Sequence, residues 1–121
     1  MKVIVSGGGT GGHIYPALSI ANSFKVNNPD CEVTYIGTPN SLEESIVPSY
    51  GYKFVPIEVK GFQRKLSLEN IKRSYKLISS ISRVRKILKE EKPDIVIGTG
   101  GYVSGPVVMM AALMGIRTAI H

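Results

Sequence analysis

The sequence predicts an α/β fold built on a single doubly wound parallel sheet. Three observations carry that expectation. Short β-branched runs alternate with helical stretches from one end of the chain to the other, which is the pattern of β-strands joined by crossover helices. Both long glycine-rich segments, Gly7 to Gly12 and Gly98 to Gly105, stand where an apolar run ends and a helical stretch begins. A chain of 121 residues with 43% hydrophobic positions can bury one core and not two.

The elements follow in order. Lys2 to Ser6 is a short apolar run stopped by glycines, and Ile14 to Val26 reads as a helix with Pro16 in its first turn. Glu32 to Ile36 is strand-like and ends at Gly37-Thr38-Pro39. Ser41 is an N-cap for a short helix that finishes before Gly51. Lys53 to Val59 alternates as a third strand. From Ser67 to about Glu91 a long helix places Ile71, Tyr75, Ile78, Ile81, Val84 and Leu88 at spacings of three and four, and Pro93 stops it. Asp94 to Ile97 is a buried-type strand, Ser104 to Met114 a helix, and Ile116 to Ile120 a final strand. The simplest strand order for β-α-β-α-β-α-β-α-β is 3-2-1-4-5.

Composition removes several function classes. Cys31 is the single cysteine, so neither an internal disulfide nor a CxxC zinc site is expected, and a reducing compartment is the simplest setting. The apolar stretch around Val107 to Ile116 falls short of the roughly 20 residues of a membrane span, and the start of the chain does not read as a signal peptide. No acid pair or cluster suggests a metal, and no cofactor is expected. Charge is uneven: Lys60 to Lys92 holds eleven basic and three acidic residues, +8 within a chain of net +6, leaving −2 for the rest. A localised anionic partner or a solvated helix face would each account for it. Lys72, Lys76, Arg83 and Lys86 fall on one arc of the long helix, opposite its apolar face, and Phe62, Leu66 and Leu68 are interleaved with Arg64 and Lys65 just before it. Nucleic acid is a poor fit to this segment, because aromatics for stacking are few and no recognition motif is present.

In the 3-2-1-4-5 order the turns after strands one and four flank a single crevice at the carboxyl edge of the sheet. Glycines there let a ligand approach the backbone, and the free N–H groups of each following helix face an anion. Gly7, Gly9 and Gly12 satisfy GxGxxG, but the second strand ends in Ile36-Gly37-Thr38 without the acid that would hold a ribose. His13 stands where a P-loop would carry lysine. A diphosphate held mainly by backbone N–H groups fits better than either nucleotide. His13 can serve as a general base for a substrate hydroxyl or as a brace for the loop, and it is expected to be the only histidine near the crevice, His121 being the last residue.

These residues also carry a family resemblance. Gly8-Gly9-Thr10-Gly11-Gly12-His13-Ile14-Tyr15-Pro16-Ala17-Leu18, Ile36-Gly37-Thr38, Gly51-Tyr52, Gly61-Phe62 and Gly98-Thr99-Gly100-Gly101-Tyr102-Val103-Ser104-Gly105-Pro106 together resemble the N-terminal domain of the MurG family, glycosyltransferase family 28 of the GT-B superfamily. The resemblance spans essentially the whole chain. It implies an architecture of two Rossmann-like domains, of which residues 1–121 would be the acceptor-binding one and the UDP-GlcNAc-binding C-terminal one would be absent. It implies inverting transfer of GlcNAc from UDP-GlcNAc to undecaprenyl-pyrophosphoryl-MurNAc-pentapeptide in peptidoglycan synthesis, with no metal at the reaction centre. The acceptor pyrophosphate would then lie against Gly8, Gly9, Thr10, Gly11 and Gly12 and against Gly100, Gly101, Tyr102, Ser104 and Gly105, with His13 deprotonating the MurNAc 4-hydroxyl. It further implies peripheral association with the anionic cytoplasmic face of the bacterial membrane, through Phe62, Arg64, Lys65, Leu66, Leu68, Lys72 and Lys76. On this basis the chain alone is expected to bind acceptor and membrane, to take UDP-GlcNAc only with the second domain, and to be inactive by itself. A non-catalytic acceptor-binding or membrane-docking subunit that partners a separate donor-binding chain is the alternative.

Overall fold

The computed structural model describes residues 1–58 and 70–121, with side chains throughout except those of residues 70–80. Nine elements follow one another: β1 (Lys2–Gly7), α1 (Gly11–Asn27), β2 (Glu32–Gly37), α2 (Leu42–Ser49), β3 (Lys53–Pro56), α3 (Asn70–Glu91), β4 (Ile95–Gly100), α4 (Ser104–Leu113) and β5 (Arg117–Ile120). The five strands are all parallel in the order β3-β2-β1-β4-β5, as the alternation requires.

Strand periodicity divides the core between two faces. From β1, Val3 and Val5 point one way and join Val33 and Tyr35 of β2, Ile97 of β4, Ile14, Ala17, Leu18 and Ala21 of α1, and Val47 of α2. Ile4 points the other way, with Ile36, Val96, Val84 and Leu88 of α3, Val103 just before α4, and Val107, Val108 and Ala111 of α4. Each such aliphatic side chain contributes about 1.5–3 kcal/mol when fully buried. β1 and β4 therefore form the centre of the sheet, covered on both faces, and the two glycine turns leave from their carboxyl ends.

Besides shifts of a single residue, three boundaries differ from the sequence expectation. α1 begins at Gly11, three residues early, so Pro16 lies inside the helix rather than in its first turn. Pro16 has no N–H to give the Gly12 carbonyl, a loss tolerated where the helix start is solvated. β4 continues through Gly98 and Thr99 to Gly100, shifting register against β1 between Ser6 and Gly7. Gly98 is thus a strand residue, kept small because a Cβ would lie 2.4 Å from Ser104 Oγ and 2.6 Å from Val108 Cγ2 of α4. β3 ends at Pro56, short of the expected Val59, which is outside the described residues.

Candidate functional site

The two glycine turns meet. Gly8 N–H donates to the Gly100 carbonyl at 3.2 Å, and the Thr99 hydroxyl donates to the His13 carbonyl at 2.6 Å. Gly101 adopts φ +93°, and a Cβ on it would lie 2.3 Å from the Gly8 carbonyl oxygen, so only glycine permits this approach of one turn to the other. The backbone of the first turn is committed to the protein on all sides. The Tyr35 hydroxyl donates to the Gly7 carbonyl, Gly9 N–H donates to Glu43 Oε2 at 3.5 Å, and His13 Nδ1 lies 3.0 Å from the Gly8 carbonyl.

What the turns present outward is the start of two helices. Thr10 is the N-cap of α1 and Val103 of α4. Neither side chain caps its helix, and neither first turn contains an acid. α2 is built the other way: Ser41 accepts the Glu44 N–H at 3.4 Å, and Glu43 and Glu44 fill its first turn. The N-termini of α1 and α4 consequently keep their partial positive charge and unpaired N–H groups, the features that attract an anion. Gly11 and Gly12 supply the first of these N–H groups on α1. On α4, Ser104 is buried and its Oγ accepts Gly100 N–H at 3.4 Å, while Tyr102 stands 70% exposed beside it. Gly105 faces open space.

His13 lies across the second turn: a Cβ on Gly100 would fall 2.8 Å from its Nε2. A carbonyl can only accept, so the Gly8 contact places the proton of a neutral imidazole on Nδ1 and leaves the Nε2 lone pair free. The Thr10 hydroxyl, 3.4 Å from the same Nδ1, is the longer contact. Bracing the loop and accepting a proton are therefore compatible roles, one for each ring nitrogen.

The structure corrects the expectation that His13 is the only histidine near the crevice. His121 lines a cleft of about 460 Å³ with Gly100, Gly101, Ser104, Gly105, Val108, Met109 and Ile120, and its N–H donates to the Gly98 carbonyl at 2.9 Å. Because β5 runs parallel to β4 with Ile120 opposite Gly98, the residue after β5 arrives at the edge where the turns are. The strand order alone contained that information.

Glu43 was not singled out by motif, yet it is fully buried against the first turn. Its Oε1 accepts Thr38 N–H at 3.1 Å and the Thr38 hydroxyl at 2.6 Å. Burial pushes this carboxyl's pKa up, but the hydrogen bonds from Thr38, Ser41 and nearby backbone N–H groups outweigh it and hold the pKa below the ordinary glutamate value. Burial, and then the Glu43 charge, push the Tyr35 phenol above its ordinary value, consistent with a donor locked on Gly7. A carboxylate does therefore stand at the end of β2, but it is spent inside the protein and is not the ribose acid of a dinucleotide site. The signal in the sequence was helical spacing, since Val47 lies four residues on and is buried on the same face.

Phe62, Arg64, Lys65, Leu66 and Leu68 lie outside the described residues, as do the side chains of Lys72 and Lys76 on α3. Further along α3, Arg83, Arg85, Lys86 and Lys89 are exposed, and Arg85, Lys86 and Lys89 line a shallow groove with Ser82 and Glu90. Among the described residues no helix is long and apolar enough to cross a membrane.

Comparison with known proteins gives one consistent answer. The family model for the glycosyltransferase family 28 N-terminal domain matches residues 3–121. A UDP-N-acetylglucosamine–N-acetylmuramyl-(pentapeptide) pyrophosphoryl-undecaprenol N-acetylglucosamine transferase of Alkaliphilus oremlandii is 56% identical over 100% of this chain and 33% of its own length. The same-named protein of Clostridioides difficile is 51% identical over 100% of this chain and 30% of its own. The crystal structure of Acinetobacter baumannii MurG superposes with a TM-score of 0.82 at 30% identity, covering 99% of this chain and 34% of that one. A glycosyltransferase of kitacinnamycin, with a TM-score of 0.69 at 17% identity, shares the fold. The chain thus spans about a third of the length of the relatives it matches. By sequence across its length, and by a sheet, paired glycine turns and helix starts arranged as described, the chain belongs to the glycosyltransferase family 28 N-terminal domain family.

Proposed function

We propose that residues 1–121 form the acceptor-binding half of an inverting GT-B transferase that moves GlcNAc from UDP-GlcNAc to undecaprenyl-pyrophosphoryl-MurNAc-pentapeptide. The observation that carries this reading is the convergence of two uncapped, acid-free helix starts on the crevice that also holds His13. The names of the relatives supply the substrate pair. The pyrophosphate is received by the N–H groups of Gly11 and Gly12 and by the turn from Gly101 through Tyr102 and Ser104 to Gly105. Gly8, Gly9 and Gly100, whose N–H groups are committed elsewhere, shape the site rather than donate to it.

In the reaction His13 Nε2 takes the proton of the MurNAc 4-hydroxyl as that oxygen attacks C1 of GlcNAc. The C1–oxygen bond to UDP breaks, UDP leaves with the electron pair, and configuration at C1 inverts. UDP-GlcNAc is held by the part of the relatives that lies beyond the region matched here. The basic residues of α3, together with Phe62, Arg64, Lys65, Leu66 and Leu68, hold the protein at the anionic cytoplasmic face of the membrane, where a polyprenyl-linked acceptor resides.

Titration of a short-chain lipid-linked MurNAc-pentapeptide into the 15N-labelled chain, followed by calorimetry and by amide NMR, tests the acceptor site. Saturable binding that displaces the Gly11 and Gly12 amide resonances is the expected result. Absence of binding, or binding that leaves both amides unmoved, would remove the assignment.

A further inference from the structure

Among the described residues Glu43 is the only buried acid, and its position has a consequence for His13. The N–H of Gly9, which meets Glu43 Oε2 at 3.5 Å, and the carbonyl of Gly8, which meets His13 Nδ1 at 3.0 Å, belong to one peptide unit. That unit is planar, and its N–H and C=O point in opposite directions. One rigid plane therefore stands between a carboxylate and an imidazole, receiving a hydrogen bond at one end and giving one at the other.

The plane is held on its remaining sides. A Cβ on Gly8 would lie 2.3 Å from Glu43 Oε1, so the carboxylate packs directly on the Gly8 backbone. A Cβ on Gly101 would lie 2.3 Å from the Gly8 oxygen, so the second turn closes the opposite flank. Gly8 N–H is tied to the Gly100 carbonyl at 3.2 Å. Glu43 is fixed in turn by Thr38, through the N–H at 3.1 Å and the hydroxyl at 2.6 Å. Only an ionised carboxylate can accept from Thr38 twice and from Gly9 without presenting a donor of its own. Its charge polarises the intervening peptide and makes the Gly8 oxygen a better acceptor.

We propose that Glu43 is the positioning residue of His13: acting through the Gly8–Gly9 peptide, it fixes the Nδ1–H tautomer and keeps Nε2 as the unprotonated nitrogen. The geometry stands by itself, and only its catalytic meaning rests on the transferase reading, in which Nε2 is the base.

The test is imidazole 15N NMR on the whole chain at neutral pH. His13 is expected to be predominantly Nδ1–H in the wild type, and Glu43→Gln is expected at least to halve that fraction in favour of Nε2–H while the strand amide resonances stay in place. A wild type that is mainly Nε2–H, or a folded Glu43→Gln chain with an unchanged tautomer, overturns the proposal. A second measurement needs no variant. On acid titration of the wild type, the Gly9 amide should move with the same midpoint as the Glu43 side-chain carboxyl carbon, and a Gly9 amide that does not follow it overturns the proposal as well. Failure of the transferase reading would show as absent acceptor binding or transfer and would leave both NMR results as they are, so the two failures are distinguishable.

Discussion

At the scale of single residues the site is a set of close approaches that tolerate little change. Gly101→Ala forces a β-carbon against the Gly8 oxygen at φ +93°, and the cost should be about 1–3 kcal/mol in unfolding free energy, read by urea titration. An unchanged midpoint would mean that the turns are not in contact. Glu43 adds a pH signature. Its folded pKa is depressed, so the stability it contributes is present above the unfolded carboxyl range and is lost as pH falls through the folded value. The stability gap between wild type and Glu43→Gln should accordingly narrow on acidification, and a gap that widens would reverse the assignment. His13→Ala in an assembled enzyme should slow transfer by about 10²–10⁴-fold while acceptor affinity changes little. His13 could be read from the sequence because it follows the glycine run directly. Glu43 and His121 could not be read the same way, since each reaches the site through tertiary placement: one from the buried face of a helix, the other from the register of a neighbouring strand.

At the scale of elements, local signals and tertiary packing divided the outcome. Ser41 caps α2 as its type and spacing predict, and Glu44 completes the cap by accepting the Asn40 N–H. Ser41→Ala should cost about 0.5–2 kcal/mol, and a smaller loss in thermal unfolding would show the cap to be dispensable. The start of α1 was hidden because Gly11 and Gly12 are poor helix formers, and a helix that opens on them is held by the sheet beneath rather than by propensity. β4 outran its expected end for a related reason: Gly98 looks like a turn residue in isolation, but its missing side chain serves the packing of α4. The basic face of α3 makes a prediction of its own. Charge reversal of Arg85, Lys86 and Lys89, each worth about 1 kcal/mol near an anionic leaflet, should weaken sedimentation with phosphatidylserine vesicles, and undiminished binding would exclude that face.

At the scale of the whole molecule, the order β3-β2-β1-β4-β5 was legible because strict alternation of strands and helices leaves few topologies, and right-handed crossovers then fix the faces. That order, rather than any single motif, brings two glycine turns and two helix starts to one crevice. In the proposed reaction one crevice is not enough, because an acceptor held at the start of α1 and α4 would still require a sugar nucleotide delivered opposite it. The relatives are about three times as long as the region matched here, and the proposal assigns the sugar nucleotide to the part beyond it. The most direct measurement is therefore transfer of GlcNAc from UDP-GlcNAc to a short-chain lipid-linked MurNAc-pentapeptide, by this chain alone and with the remaining two-thirds of a relative added as a separate domain. Product formed only when both are present is the predicted result. No product from the pair, together with no acceptor binding by this chain, would contradict the account.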